Sequence, residues 1–357
     1  MTKKLVLLLT GLLFPSAGLS QGIPEPKLTP APALEKHRDL MHEAIAFDER
    51  GEFDAAIARL QQILRENPDD VVAMYQLAHS HFGKEEYMKS LAAASNGAKY
   101  KSRQLAALYL LIGSNLDRLD EPELAIKVYK QGMKSFPTDA QFPMSLAITY
   151  LNFGKPEDAR KSLKESAALD PNYAGSHLGL GQLYFNSGYK VQAVLALCRF
   201  LVLEPDSRRS AAALKTMQGI IQSGVGPGED SNITIVVDST MRTDEGDFNA
   251  ANVALSMLAA SPYLEKNKGK SEINLVVENF TSLFTILSDG NKKKQSGFAW
   301  NYYRPYFIEM KDRNYVEAFC YYIHQGGGST EVSNWLAQNG AKVGEFLNWS
   351  KSYQFHK

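Results

Sequence analysis

The sequence predicts an all-α protein: a solenoid of helix-turn-helix pairs followed by a mostly helical, aromatic-rich C-terminal domain. Three observations predict it. Pro137, Pro171 and Pro205 repeat at 34 residues, and Pro68 to Pro137 is 69, one more than two such periods. A fixed period near 34 is what stacked helix pairs produce. Between the prolines the text is amphipathic at helical spacing, broken at intervals by Gly or Pro. Beyond residue 231 the period stops, and the remainder holds 19 of the 37 aromatic residues, including all three tryptophans.

The 357 residues suffice for two domains, each with its own core. Lys plus Arg equals Asp plus Glu, 39 each, so no global field would draw the chain to nucleic acid or an anionic membrane. Partner choice must then lie in local surface.

Taken in order, Met1–Lys4 is short and basic, Leu5–Phe14 is apolar, and Ser16, Ala17, Gly18 and Ser20 are small. This is the pattern of a secretory signal peptide over 1–20, cleaved after Ser20. A membrane anchor needs about 20 apolar residues, and Pro15 cuts this run short. No cysteine follows the small residues, so a lipid anchor is not expected. The implied location is exported, either periplasmic or secreted, with no stable membrane anchor after cleavage. Cys198 and Cys320 are the only cysteines; each lies in an apolar helical stretch, which favours packed thiols over a disulfide.

Residues 21–35 carry Pro24, Pro26, Pro30 and Pro32, which forbid a helix and favour an extended linker. Five helix pairs then span about 36–68, 71–103, 106–137, 140–171 and 174–205. The first helix of each has a small residue near its middle, Ala44, Ala78, Gly113, Ala147 and Gly181, where the partner helix passes too close for a larger side chain. The second helix has Ala56, Ser90, Ala125, Ala159 and Ala193. Gly51, Gly154 and Gly188 fall in turns that favour positive φ. Residues 206–222 read as a capping helix over the last pair, 223–231 as a Gly-rich linker, and 232–357 as a helical C-terminal domain or a large elaboration packed on the solenoid. Asn232–Val237 alternates weakly, but a lone strand has nothing to pair with.

Small residue, aromatic, glycine, alanine and proline recurring together resemble the tetratricopeptide repeat family. The match covers about half the chain and is strongest over Leu146–Pro171 and Leu178–Pro205. The second repeat departs from the pattern, with His81 for an aromatic, Glu85 for glycine and no proline near Lys101–Gln104, so a local irregularity is expected there. The resemblance implies that first-helix side chains line a concave partner-binding groove: Tyr75, His79, Phe82, Leu110, Ser114, Asp117, Met144, Ile148, Asn152, Leu178, Gln182, Phe185 and Asn186. Some members clamp a partner's terminal carboxylate with lysine, arginine and asparagine. No lysine or arginine occurs among these positions, so an apolar peptide or amphipathic helix suits them better. The protein's own C-terminal region is the other candidate occupant.

No HExxH, GxSxG or phosphate-cradling glycine loop occurs. His79 and His81 lie two apart and point to different helical faces, with no further ligands nearby for zinc. No cofactor or metal is expected. Lys266, Lys268 and Lys270, and Lys292, Lys293 and Lys294, sit in loops as solvated tips. The expected function is a scaffold or adaptor that binds a protein or peptide through the groove, without catalysis. An alternative is a cell-envelope enzyme or glycan-binding protein using a secondary aromatic surface of Trp300, Tyr303 and Phe307, with acids drawn from Glu309, Asp312, Glu317 and Glu331.

Overall fold

The structure, a computed structural model, describes residues 23, 25–223, 225–227, 233–235, 243–289 and 295–356. The signal peptide expected at 1–20, most of the linker at 223–231 and the Lys292–Lys294 cluster lie outside these residues. By packing, the chain divides into two units, Met1–Lys155 and Pro156–Lys357.

Among the described residues, the first unit holds seven α-helices: α1 (Arg38–Glu49), α2 (Phe53–Glu66), α3 (Val71–Gly83), α4 (Tyr87–Gly97), α5 (Leu105–Arg118), α6 (Pro122–Ser135) and α7 (Gln141–Asn152). They begin and end where backbone chemistry dictates. Asp70 caps α3 by accepting from the Ala73 N–H at 3.0 Å, and Pro122 opens α6, where its missing N–H costs nothing. Within pairs, the helices meet at the small residues: Ala44, Ala56, Ala78, Ser90, Gly113 and Ala125 are all buried. A Cβ added to Gly113 would lie 2.3 Å from the Tyr129 ring, so no larger residue fits this crossing.

The second repeat keeps the common turn despite its sequence. Gly51 has φ 75°, and Glu85 adopts φ 63° and Asp120 φ 61° at the corresponding turns. The expected irregularity lies instead in the seven residues joining α4 to α5, and it has a purpose. There the Lys99 carbonyl accepts from the N–H groups of Lys27 and Leu28, and the Lys101 N–H donates to the Leu28 carbonyl at 2.9 Å. A proline at 101 would have no N–H to give.

The proline-rich stretch is therefore extended but not a free tether. Ala31 N–H donates to the Asp69 carbonyl and Asn67 Nδ2 to the Pro32 carbonyl. Gln131 holds both backbone groups of Ile23, whose side chain is 5% exposed and joins a core with Tyr109, Leu108 and Tyr129.

The second unit contains α8 (Pro156–Leu169), α9 (Ala174–Asn186), α10 (Lys190–Leu203), α11 (Arg208–Gln222), a two-stranded ribbon of β1 (Val225–Pro227) and β2 (Ile233–Ile235), then α12 (Asn249–Ala259), α13 (Glu272–Asp289), α14 (Phe298–Asp312), α15 (Val316–Ile323), α16 (Thr330–Gln338) and α17 (Gly340–Ser352). Sequence reasoning left β2 without a partner. It pairs antiparallel with β1, Gly226 opposite Thr234, across the glycine-rich stretch.

Of the two readings for the C-terminal region, the elaboration packed on repeat helices is the one observed. Every residue from Val191 to Val202 of α10 is buried, because α12, α14 and α15 cover α10 as well as α9 and α11. Arg199, only 1% exposed, ties the layers together. Its guanidinium donates to Ser350 Oγ at 2.8 Å, the Asn172 side-chain oxygen at 2.9 Å and the Pro171 carbonyl at 3.1 Å, and it lies 5.1 Å from the centroids of both Tyr306 and Phe355. Tyr302 OH donates to the Ala167 carbonyl. Cys198 and Cys320 are free and buried, and burial pushes both thiols up.

The aromatic stretch is core. Trp300 is 8% exposed, and Tyr303 and Phe307 are fully buried, so the three form no secondary surface. Phe284 stacks on Phe307 at 5.0 Å between centroids, and Phe319 meets Phe280 edge to face at 5.5 Å. The physical reason is supply: a helical elaboration needs large apolar side chains to bury against an already apolar α10.

Candidate functional site

Within the first unit α1, α3, α5 and α7 stand side by side. Side-chain bonds lace these helices together. Asp48 of α1 reaches α3 twice, with its carboxylate 2.8 Å from His79 Nδ1 and accepting from Ser80 Oγ at 2.5 Å. Asp117 of α5 accepts from Thr149 Oγ1 of α7 at 2.8 Å and from Tyr129 OH at 3.3 Å. Ser114 Oγ is 3.3 Å from the same phenol.

Exposure separates the proposed groove residues. Tyr75, Phe82, Leu110, Ser114, Asp117 and Met144 are half-buried, while His79, Ile148 and Asn152 are exposed. Tyr75 lies beside His79, ring centroids 6.3 Å apart, and burial, with Asp48 nearby, pushes its phenol up. Towards α7 the face turns apolar and open: Ile148 is 45% exposed, and Leu151 and Phe153 are comparably open. Burial raises the Asp117 carboxyl above the ordinary carboxylate value, against the hydrogen bonds from Thr149 and Tyr129. Both donors are neutral. Among the described residues no Lys, Arg or His forms a salt bridge with it.

In the second unit Leu178 is half-buried, and Gln182, Phe185 and Asn186 are exposed on α9, Phe185 at 43%. The C-terminal helices do not cover these three side chains.

Two first-helix residues escaped the sequence reading, the exposed Leu151 and Asp48, whose side chain is 11% exposed. Both were legible in the register: each lies four positions after a small contact residue, Ala44 or Ala147, as Phe82, Asp117 and Phe185 lie four after Ala78, Gly113 and Gly181.

The acids proposed for a glycan-cleaving site all have other partners. Glu309 accepts from Trp349 Nε1 at 3.0 Å and from Arg313, Glu317 pairs with Lys342, Asp312 with Lys311, and Glu331 accepts from Ser271. Among the described residues no group of three or more His, Cys, Asp or Glu is placed to hold a metal ion, and no helix is long and apolar enough to cross a membrane.

Comparison with known proteins agrees with the repeat geometry. The model of the tetratricopeptide repeat family matches residues 42–78 and 144–214. Over 147 residues the chain is 26% identical to the Hsp70-Hsp90 organising protein of Plasmodium falciparum (isolate 3D7), covering 40% of this chain and 25% of that protein. The chain thus spans about a quarter of the length of this curated relative. Among solved structures, a thermophilic TPR protein of Thermus thermophilus has a TM-score of 0.43 at 21% identity, covering 50% of this chain and 99% of that one. YrrB, a TPR protein with an unusual peptide-binding site, has a TM-score of 0.37 at 18% identity, covering 51% of this chain and 94% of its own. The 34-residue period, the buried small residues and the two stretches matched by the family model agree, so the chain carries repeats similar to those of the tetratricopeptide repeat family.

Proposed function

We propose that the chain is an exported adaptor that holds another protein, or a peptide segment of one, against the exposed faces of its first helices and performs no catalytic step. One observation carries this reading: open apolar side chains Ile148, Leu151 and Phe153 share the first unit with Asp117, a half-buried carboxylate that forms no salt bridge among the described residues, Arg118 acting on it only as a more distant charge. Buried apolar anchors supply affinity in peptide grooves, and a desolvated carboxylate held by neutral donors gains from a cation. The partner segment therefore presents an apolar side chain near a lysine or arginine.

Charge placement supports the same choice. Across α1, α3, α5, α7 and α9 the only Lys or Arg residues are Arg38 and Arg118, each at a helix end, so a partner's terminal carboxylate has little to meet. The relative named for organising Hsp70 and Hsp90 supports a protein-gathering role without identifying this chain's partner. Export rests on the leader pattern of Met1–Ser20.

The test is a pull-down from cell-envelope extract with wild type and with a variant carrying alanine at Tyr75, Phe82, Leu110, Ile148 and Phe185, both first shown folded by circular dichroism. A protein retained by wild type and lost by the variant is expected. Equal retention by both would refute the first-helix faces as the binding surface.

A further inference from the structure

The second unit encloses a cavity of about 500 Å³ between α11, α12 and α13, within the range of small-molecule sites. Its walls are mainly apolar, with Met217 and Ile221 from α11, Leu255 from α12, and Leu275 and Phe280 from α13. Tyr263, also part of the lining, is 64% exposed, so the cavity wall reaches the surface there.

Among the polar groups of the lining, two acceptors stand out. His324 lines the cavity, and its Nδ1 is 2.7 Å from the Cys320 carbonyl oxygen. A carbonyl only accepts, so Nδ1 carries the proton and Nε2 is left as an acceptor. That Nε2 is buried without a hydrogen-bond partner among the described residues. Burial also pushes the imidazole pKa down, which keeps the ring neutral. Asn267, 5% exposed, lines the same cavity; its Nδ2 donates to the Ser261 carbonyl at 2.7 Å, and its Oδ1 is likewise buried and unpartnered. Two buried acceptors without donors are costly.

The lining cations are already engaged. Lys270 holds both oxygens of Glu278, at 2.7 and 2.8 Å, and Lys268 pairs with Glu265 at 2.6 Å. Glu272 adds a negative charge to the lining. An anionic head group finds no free partner among these side chains.

From this arrangement we infer that the cavity is a binding site for a neutral, mainly apolar molecule that carries a hydrogen-bond donor, a hydroxyl in the first instance, with His324 Nε2 as its acceptor. This site is separate from the first-helix faces and stands independently of the adaptor reading.

The test titrates the full chain by calorimetry with two probes of nearly the same shape: naphthol, whose hydroxyl donates, and naphthol methyl ether, which cannot. Naphthol should bind at one site about tenfold more tightly than the ether, the worth of one buried hydrogen bond. His324→Phe should bring naphthol down to the affinity of the ether and leave the ether unchanged. Val276→Trp and Leu258→Trp, each filling the cavity from a half-buried position, should abolish binding of both probes. Circular dichroism selects the filling variant that retains the wild-type fold. No binding of naphthol to wild type, equal affinity for the two probes, or binding that survives in a folded filling variant would each overturn the assignment.

Discussion

His177 is the residue at which the second unit meets acid. It is fully buried; its Nε2–H donates to the Pro171 carbonyl at 3.0 Å, and its Nδ1 accepts from Tyr303 OH at 2.8 Å. Burial first, and then the Arg199 charge, push its pKa from 6.5 down to about 3. The unfolded chain takes up a proton near pH 6.5 that the folded chain refuses. The stability contributed is thus complete above about pH 6.5 and is lost as pH falls towards 3. Between pH 7 and pH 5 the loss is about 2 kcal/mol. Thermal melts should show it, and His177→Gln, able to keep both hydrogen bonds without titrating, should melt with a visibly flatter pH dependence; an unchanged slope would place the acid sensitivity elsewhere. At this scale the sequence was informative wherever size decided the outcome. Ala78, Gly113 and Ala193 were readable as helix contacts because only small side chains fit there. The partners of His177 were not readable, because Tyr303 lies 126 residues away and no local spacing encodes the pair.

Among elements, the N-terminal stretch departs furthest from expectation. Its prolines correctly implied an extended chain, but its docking depends on backbone bonds to residues about 70 positions on, at Lys99 and Lys101. Local composition carries no signal for such bonds. β2 was missed for the same reason, since its partner lies in a stretch whose glycines read as linker. Lys101→Pro removes the N–H that holds the Leu28 carbonyl and should cost about 1 kcal/mol. The helices should stay intact by circular dichroism, while limited proteolysis cuts within residues 25–34 several-fold faster than in wild type. Unchanged protection of that segment would mean that the α4–α5 connection does not hold it.

Across the whole molecule the division of labour follows from which helix faces are covered. In the second unit the aromatic-rich C-terminal helices bury α10 completely, yet Gln182, Phe185 and Asn186 of α9 stay open. In the first unit, positions 148, 151 and 153 are open as well. On the proposed reading, the zero net charge and the scarcity of cations on the first helices leave apolar contact as the main source of affinity, with Asp117 offering one charge to a partner cation. Binding should therefore weaken only about two- to threefold between low and physiological salt, because a half-buried pair is screened little. The helical class and the repeat register were legible in the sequence because both are periodic. The packing of the C-terminal helices was not, because aromatic density marks a core and a binding surface alike. The most direct measurement places a photo-crosslinking amino acid at Ile148, on the open first-helix face, or at Gln61, on the exposed side of a second helix. Cross-linking of the pull-down partner from Ile148 and not from Gln61 is the predicted result. Capture from Gln61, or none from Ile148 while the partner is still retained, would contradict the placement of the binding surface on the first helices.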